Sequence, residues 1–301
     1  MVGTERTGPR RRRRWGPVLA QGPSLLVLGL VVLLPLLYSI NLSFRSYSLV
    51  TPDHTGQWVG LANYRRLVRD SEFGHALVVT GVFVVSAVVL ETVLGVVVGI
   101  FVDRLRRLRR PVISLLLLPM ILTPLVVGLI FNFALNAQFG YLTWVLESVG
   151  FGQGVGVLNS GPGALAALVL IDVWEWFPFI ALMVVAGLQT IPKEPLEAAS
   201  IDGASTLQQY RYVTLPMLVP IVGVAILFRT TEAIREFDKV FVLTSGGPGS
   251  ATTVNDLYQY RVSFLDWDLS YGATLGLVSF AAVLAMSALV FRTLRGKENQ
   301  R

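Results

Sequence analysis

Cysteine is absent from the 301 residues, histidine occurs twice, and charged side chains amount to only 15%. Without cysteine there are no disulfides and no thiolate metal sites, although compartment stays open. The histidines, His54 and His75, have no partner at metal-ligand spacing and read as surface residues. No GxxxxGK[ST] segment occurs, so the chain has no phosphate cradle of its own and should not hydrolyse ATP. Nothing resembles a nucleophile elbow either. Enzymatic catalysis finds no foothold.

What is present is apolar. Hydrophobic residues make up 53% of the chain and the mean hydropathy is +0.62, the balance of a membrane protein. A net charge of +6 and a pI near 9.8 would suit nucleic acid. The basic residues, however, gather at the ends of apolar runs, where charges set membrane topology, and no nucleic-acid partner is expected.

Six runs are long enough to cross a bilayer, each needing about 20 residues: 15–44, 76–102, 111–146, 164–188, 217–234 and 269–291. The third includes an interfacial segment beyond the span, with Asn132, Asn136 and Gln138 near its outer end. Residues 45–70 and the glycine-rich 150–163 read as loops, and Gly246 to Gly249 as a tight outer turn. The reading is an all-α, six-span membrane domain over 15–292, between a disordered basic tail (1–14) and a short C-terminal tail (293–301). A signal peptide is not expected. With the N-terminus inside, the inner segments hold seventeen of the 25 basic residues and the outer loops six, Lys239 among the latter. Positive-inside counting therefore places both termini in the cytoplasm.

One long polar interval between spans has helix signals of its own. Pro195 suits a first helical position, with Glu194 and Glu197 near the positively polarised start. Ala198, Ala199, Ile201 and Ala204 make a small surface, Gly203 permits a bend, and Ser205 with Gln208 has capping-box spacing. The pattern Glu197-Ala198-Ala199, Asp202-Gly203-Ala204, Tyr210, Leu215-Pro216 resembles the EAA loop of ABC-importer permeases. The resemblance is nearest to the carbohydrate-uptake branch that includes the maltose and glycerol-3-phosphate permeases. Val59-Gly60-Leu61-Ala62-Asn63-Tyr64 is similar to that family's GLxNY element, and Thr244-Ser245-Gly246-Gly247-Pro248-Gly249 to its TxGGPG turn.

The resemblance, which runs over nearly the whole chain, implies a type I importer permease in a bacterial inner membrane. It implies four kinds of partner: a second permease, an ATPase dimer, an extracytoplasmic solute-binding protein and a sugar-like solute, all in a lipid bilayer. No cofactor is implied for this chain; ATP and magnesium belong to the ATPase. Residues 190–218 would be the cytoplasmic coupling loop, with Glu197 at the rim and Tyr210 standing where phenylalanine is common. An ungapped comparison with the maltose permease sets Met120, Asp172, Glu175, Trp176, Phe179, Arg229, Ala233 and Glu236 on its sugar-lining positions, with residue types that mostly differ.

Spacing supplies an independent reason to single out some of these. Charges at membrane depth face a cavity or a partner. Asp172, Glu175, Trp176 and Phe179 share one helix face, as do Arg229, Glu232, Arg235 and Glu236. Rings beside carboxylates and guanidinium suit a polyhydroxylated ligand. The same residues could instead form a structural salt-bridge network, and both readings stay open. Glu91 stands alone in the second span and would pair with an arginine elsewhere. The competing class is a self-sufficient proton- or ion-coupled transporter, which would have no need of a docking loop.

Overall fold

The structure, a computed structural model, describes residues 16–50, 55–105, 107–150 and 156–298. The basic tail 1–14, His54, Arg106, residues 151–155 of the glycine-rich segment and Arg301 lie outside the described residues. Helix α1 (Gly16–Ser43) leads into a two-stranded antiparallel hairpin, β1 (Arg45–Tyr47) and β2 (Thr55–Trp58). Then come α2 (Ala62–Arg69) and the long α3 (Ser71–Arg104). Next are α4 (Arg109–Ile121), α5 (Pro124–Ala134) and the short α6 (Tyr141–Ser148), followed by α7 (Gly161–Thr190). Two short helices, α8 (Glu194–Ile201) and α9 (Thr206–Gln209), precede α10 (Leu215–Ile234). The chain ends with α11 (Asp238–Leu243), α12 (Asn255–Tyr260) and α13 (Leu269–Glu298). This is the expected all-α membrane architecture. Among the described residues, five single helices are long and apolar enough to span, and the α4–α5 pair makes a sixth when counted as one.

Three expectations need correction. The third span is not one rod: α4 and α5 meet at 89°. Pro124 lacks an N–H and pushes the residue before it out of the helical region, and Leu122 and Thr123 are accordingly extended. Residues 45–70 are not all loop, because the hairpin and α2 form there and are tied to the end of α1. Asn63 Nδ2 donates to the carbonyls of Ser43 at 2.8 Å and Arg45 at 2.9 Å, Tyr64 shares a hydrogen bond with Ser43, and Phe44 stacks on Trp58. The GLxNY-like element is therefore a clasp. The sixth helix, finally, continues past Arg292 to Glu298.

The end of the bundle where α3 begins is fixed by Asp70, which caps α3 by accepting from the N–H groups of Glu72 and Phe73. Its Oδ2 also receives the hydroxyls of Tyr258, at 2.6 Å, and Tyr271. Burial works against its charge, but these donors outweigh burial and hold the carboxyl below its ordinary range. Its contribution to stability is present above the ordinary carboxylate range and lost as pH falls through the lowered value.

The centre of the fold is the α3–α7 pair. Gly95 and Gly99, one turn apart, let the backbones approach: a Cβ on Gly95 would sit 2.6 Å from Ile180 Cβ, and one on Gly99 2.7 Å from Val184 Cβ. Phe83, Leu168, Val127 and Val240 fill the layer above, joining α3 and α7 to α5 and α11. Replacing Gly95 with Val should separate the helices and lower thermal stability in detergent by about 1–3 kcal/mol. Gly81→Ala, with nothing within 4 Å of the added Cβ, should be near neutral in the same melt.

Candidate functional site

Two constellations stand out: an exposed loop between α7 and α10, and a buried cluster of charge. In the loop, α8 begins beside Pro195 and ends at Asp202, where Gly203 takes a positive φ of 79°. The N–H of Gly203 bonds the Ser200 carbonyl and that of Ala204 the Ala199 carbonyl, closing the turn. Ser205 and Gln208 then make both bonds of a capping box at the start of α9. The second helix is continuous with the fifth span through a π-helical turn at Tyr210–Thr214, where the N–H of Leu215 reaches the Tyr210 carbonyl. Pro216 explains that widening, since its ring would crowd the carbonyl four residues earlier in a regular helix.

Glu197, Ala198, Asp202, Gly203 and Leu215 are exposed, while Ala199, Ala204, Tyr210 and Pro216 are half-buried. Ile201 is 86% exposed, Leu207 77% and Tyr212 68%, around a recess of about 360 Å³ lined by Ala199, Gly203, Gln208 and Tyr212. These three large side chains form an exposed apolar surface on a polar projection, with the Arg211 guanidinium 5.7 Å from the Tyr212 ring centroid. Tyr210 faces inward instead: the guanidinium of Arg104, the last residue of α3, lies 4.8 Å above its ring, and Nε donates to its hydroxyl at 3.3 Å.

The buried cluster joins four elements. Arg229 of α10 makes a two-pronged pair with Glu91 of α3, Nε to Oε2 at 2.7 Å and Nη2 to Oε1 at 2.8 Å. Its Nη2 also donates to Asp172 Oδ2 of α7 at 2.7 Å. Lys239 of α11 donates to Asp172 Oδ1 at 2.6 Å and Glu175 Oε2 at 2.8 Å, and pairs with Glu236 at 2.9 Å. Trp176 lies 4.8 Å below Arg229, and Phe179 packs against Phe228. Gly128 of α5 lets α11 come close, since a Cβ there would be 3.3 Å from the Lys239 Cα.

The structure thus brings Asp172, Glu175, Trp176, Arg229 and Glu236 together, with buried Ala233 on the same face of α10. Glu232 and Arg235 point away and are exposed, so the expected shared face of α10 divides, and these two are no part of the network. Met120 is half-buried on α4, outside the cluster. Lys239, counted as an outer-loop charge from the sequence, is fully buried here. That was legible in principle: four carboxylates at membrane depth require more cation than Arg229 alone. Glu91 finds its arginine within the chain. His75 is exposed near the start of α3, hydrogen-bonded to the Ser250 carbonyl.

Between residues 91 and 295 the sequence matches the family model described as the binding-protein-dependent transport system inner membrane component. The chain belongs to that family. Over 95% of its length it is 38% identical to a probable ABC transporter permease of Sinorhizobium fredii, covering 94% of that protein. It is 34% identical to the sulfoquinovosyl glycerol transport system permease of Agrobacterium fabrum, covering 93% of this chain and 91% of that one. It is 32% identical to the trehalose/maltose transport system permease of Thermococcus litoralis, with 91% of each covered. Among solved structures, a bacterial ABC transporter involved in alginate import superposes with a TM-score of 0.79 at 17% identity, covering 94% of this chain and 96% of that one. That likeness establishes the type I importer-permease fold.

In this permease, removing one member of the cluster strands its partners in a dry interior. Asp172→Asn should cost about 3–5 kcal/mol, and Glu91→Leu alone a similar amount. Combining Glu91→Leu with Arg229→Met should recover part of the loss. Thermal melts of the single and double variants in detergent read this non-additivity directly.

Proposed function

We propose that the chain is a membrane-spanning subunit of an ATP-driven, binding-protein-dependent importer of a sugar or sugar-like solute. Support for the solute class comes from the sugar-transport relatives in Agrobacterium and Thermococcus. A second permease would complete the pathway, an ATPase pair would dock below, and an extracytoplasmic binding protein would deliver the solute. The ATP and magnesium would sit on the ATPase. Both termini would be cytoplasmic, in a bacterial inner membrane.

One observation carries the coupling assignment: the helix–bend–helix of α8 and α9 projects beyond the spans with Ile201, Leu207 and Tyr212 uncovered. A groove in the ATPase would cover them, with Glu197 at its rim. Because α9 runs without a break into α10, closure of the ATPase pair would pull on the fifth span, and Arg104 on Tyr210 would pass the pull to the second. Alternating access follows when those spans rock against the partner permease.

Asp172, Glu175 and Arg229 are engaged in the buried network with Glu91, Glu236 and Lys239, which leaves solute contact to side chains outside it. In this reading Asp172, Glu175, Arg229, Ala233 and Glu236 hold the pathway wall. Met120, Trp176, Phe179 and Glu232, which keep exposed surface in the single chain, touch the solute.

Gly203→Pro imposes a negative φ on a residue that needs +79°, and Glu197→Lys reverses the rim charge. A tagged chain expressed with its neighbouring genes should retain an ATPase through purification, and both variants should lose it along with sugar-stimulated ATP hydrolysis. If the native chain purifies alone and the variants behave identically, the importer reading fails and an ion-coupled transporter takes its place.

A further inference from the structure

The buried cluster does not balance. Arg229 and Lys239 bring two positive charges, against the four carboxylates of Glu91, Asp172, Glu175 and Glu236. Five of the six side chains are at most 2% exposed and Glu236 is 10% exposed, so water does not make up the difference. Two uncompensated negative charges in such surroundings are strongly unfavourable, and an interior of this kind takes up positive charge.

The hydrogen bonds show where it goes. Glu91 uses both oxygens on Arg229. Asp172 gives one oxygen to each cation. Glu236 takes the Lys239 ammonium on Oε2 and the Lys239 N–H on Oε1. Glu175 gives Oε2 to Lys239, while its Oε1 is buried with no hydrogen-bond partner among the described residues. Among the described residues, the charged groups bonded within the cluster are Glu91 from α3, Asp172 from α7, Arg229 from α10, Glu236 after it, and Lys239 from α11. Helix α4, which also packs on α7, carries Arg109 and Arg110 at its first turn, where Arg109 pairs with Asp103. Helix α5, packed behind α11, carries no titratable residue.

We propose that Glu175 Oε1 is a proton-binding position, so that the folded permease holds Glu175 as a neutral carboxylic acid. The proton comes from the aqueous phase, one O–H bond forms, and nothing else changes hands. The cluster then carries a single excess negative charge, at the Glu236 edge where exposure is greatest. Lys239 keeps its own proton, because the carboxylates of Asp172 and Glu236 still flank its ammonium. This inference does not depend on the importer assignment, since it concerns charge within one chain.

The test is infrared spectroscopy of the full chain in detergent at neutral pH. The native protein should show the carbonyl stretch of a protonated carboxylic acid, shifted in heavy water, and Glu175→Gln should lack it. Glu175→Gln, which is neutral and nearly the same shape, should keep at least the native Tm, whereas Asp172→Asn should lose stability or fail to fold. Because the folded state holds a proton the unfolded chain releases, native Tm should fall as pH rises into the alkaline range, and the Glu175→Gln slope should be flatter. The proposal is overturned if the acid band is absent, if it persists in Glu175→Gln, or if Glu175→Gln destabilises as much as Asp172→Asn. It is overturned equally if sodium raises the native Tm without an acid band, which would place a metal cation at the site.

Discussion

Arg229 has no access to water, and an ion so placed is stable only where its hydrogen-bonding capacity is used. Glu91, Asp172 and the ring of Trp176 meet that need from two other helices, and Lys239 repeats the arrangement one layer away. The consequence is positional. Residues far apart in the chain must lie within about 3 Å of one another, so α3, α7, α10 and α11 have one permitted register. Apolar packing alone would tolerate sliding, because the Val- and Leu-rich faces of α3 and α7 offer many similar contacts. Gly95 and Gly99 then set how closely the pair approaches.

The loop at the other end of α7 obeys the opposite rule. Its polar groups are satisfied locally, by the capping box and the closed turn at Gly203, which frees its apolar side chains to face outward. In the proposed coupling role, a locally hydrogen-bonded backbone with uncovered Ile201 and Leu207 would meet its partner with little ordering to oppose docking. The loop is attached to the membrane domain through the end of α7, through the π-turn into α10 and through Arg104 on Tyr210. In that proposed role, a push on the loop would reach α3 and α10, two of the spans that meet in the charge cluster.

Much of this was legible beforehand, and the reasons differ by residue. The loop was readable because Pro195, Gly203 and the Ser205–Gln208 pair act through local backbone chemistry, which spacing displays directly. The apolar spans were readable because bilayer thickness fixes their length. The bend at Leu122–Thr123 was overlooked because hydropathy does not sense a proline that starts a helix in the middle of an apolar run. Lys239 was misplaced because it follows the end of α10, where charge counting assigns water, and only the fold returns it to Asp172 and Glu175. Glu232 looked equivalent to Arg229 by spacing, yet which side of α10 faces α3 and α7 is decided by packing. The hairpin clasp of Asn63 on Ser43 and Arg45 is likewise a tertiary fact.

The central claim is that α8 and α9 form a covered docking surface in the working transporter. The absence of native cysteine gives a clean probe, because Ile201→Cys would place the sole thiol at the most exposed apolar position of the loop. Labelling with a membrane-impermeant maleimide would be compared in inverted and right-side-out vesicles, with and without the neighbouring genes. The account predicts labelling only in inverted vesicles, and protection when the ATPase is present. Labelling from the outer side, or equal labelling with and without the ATPase, would contradict it.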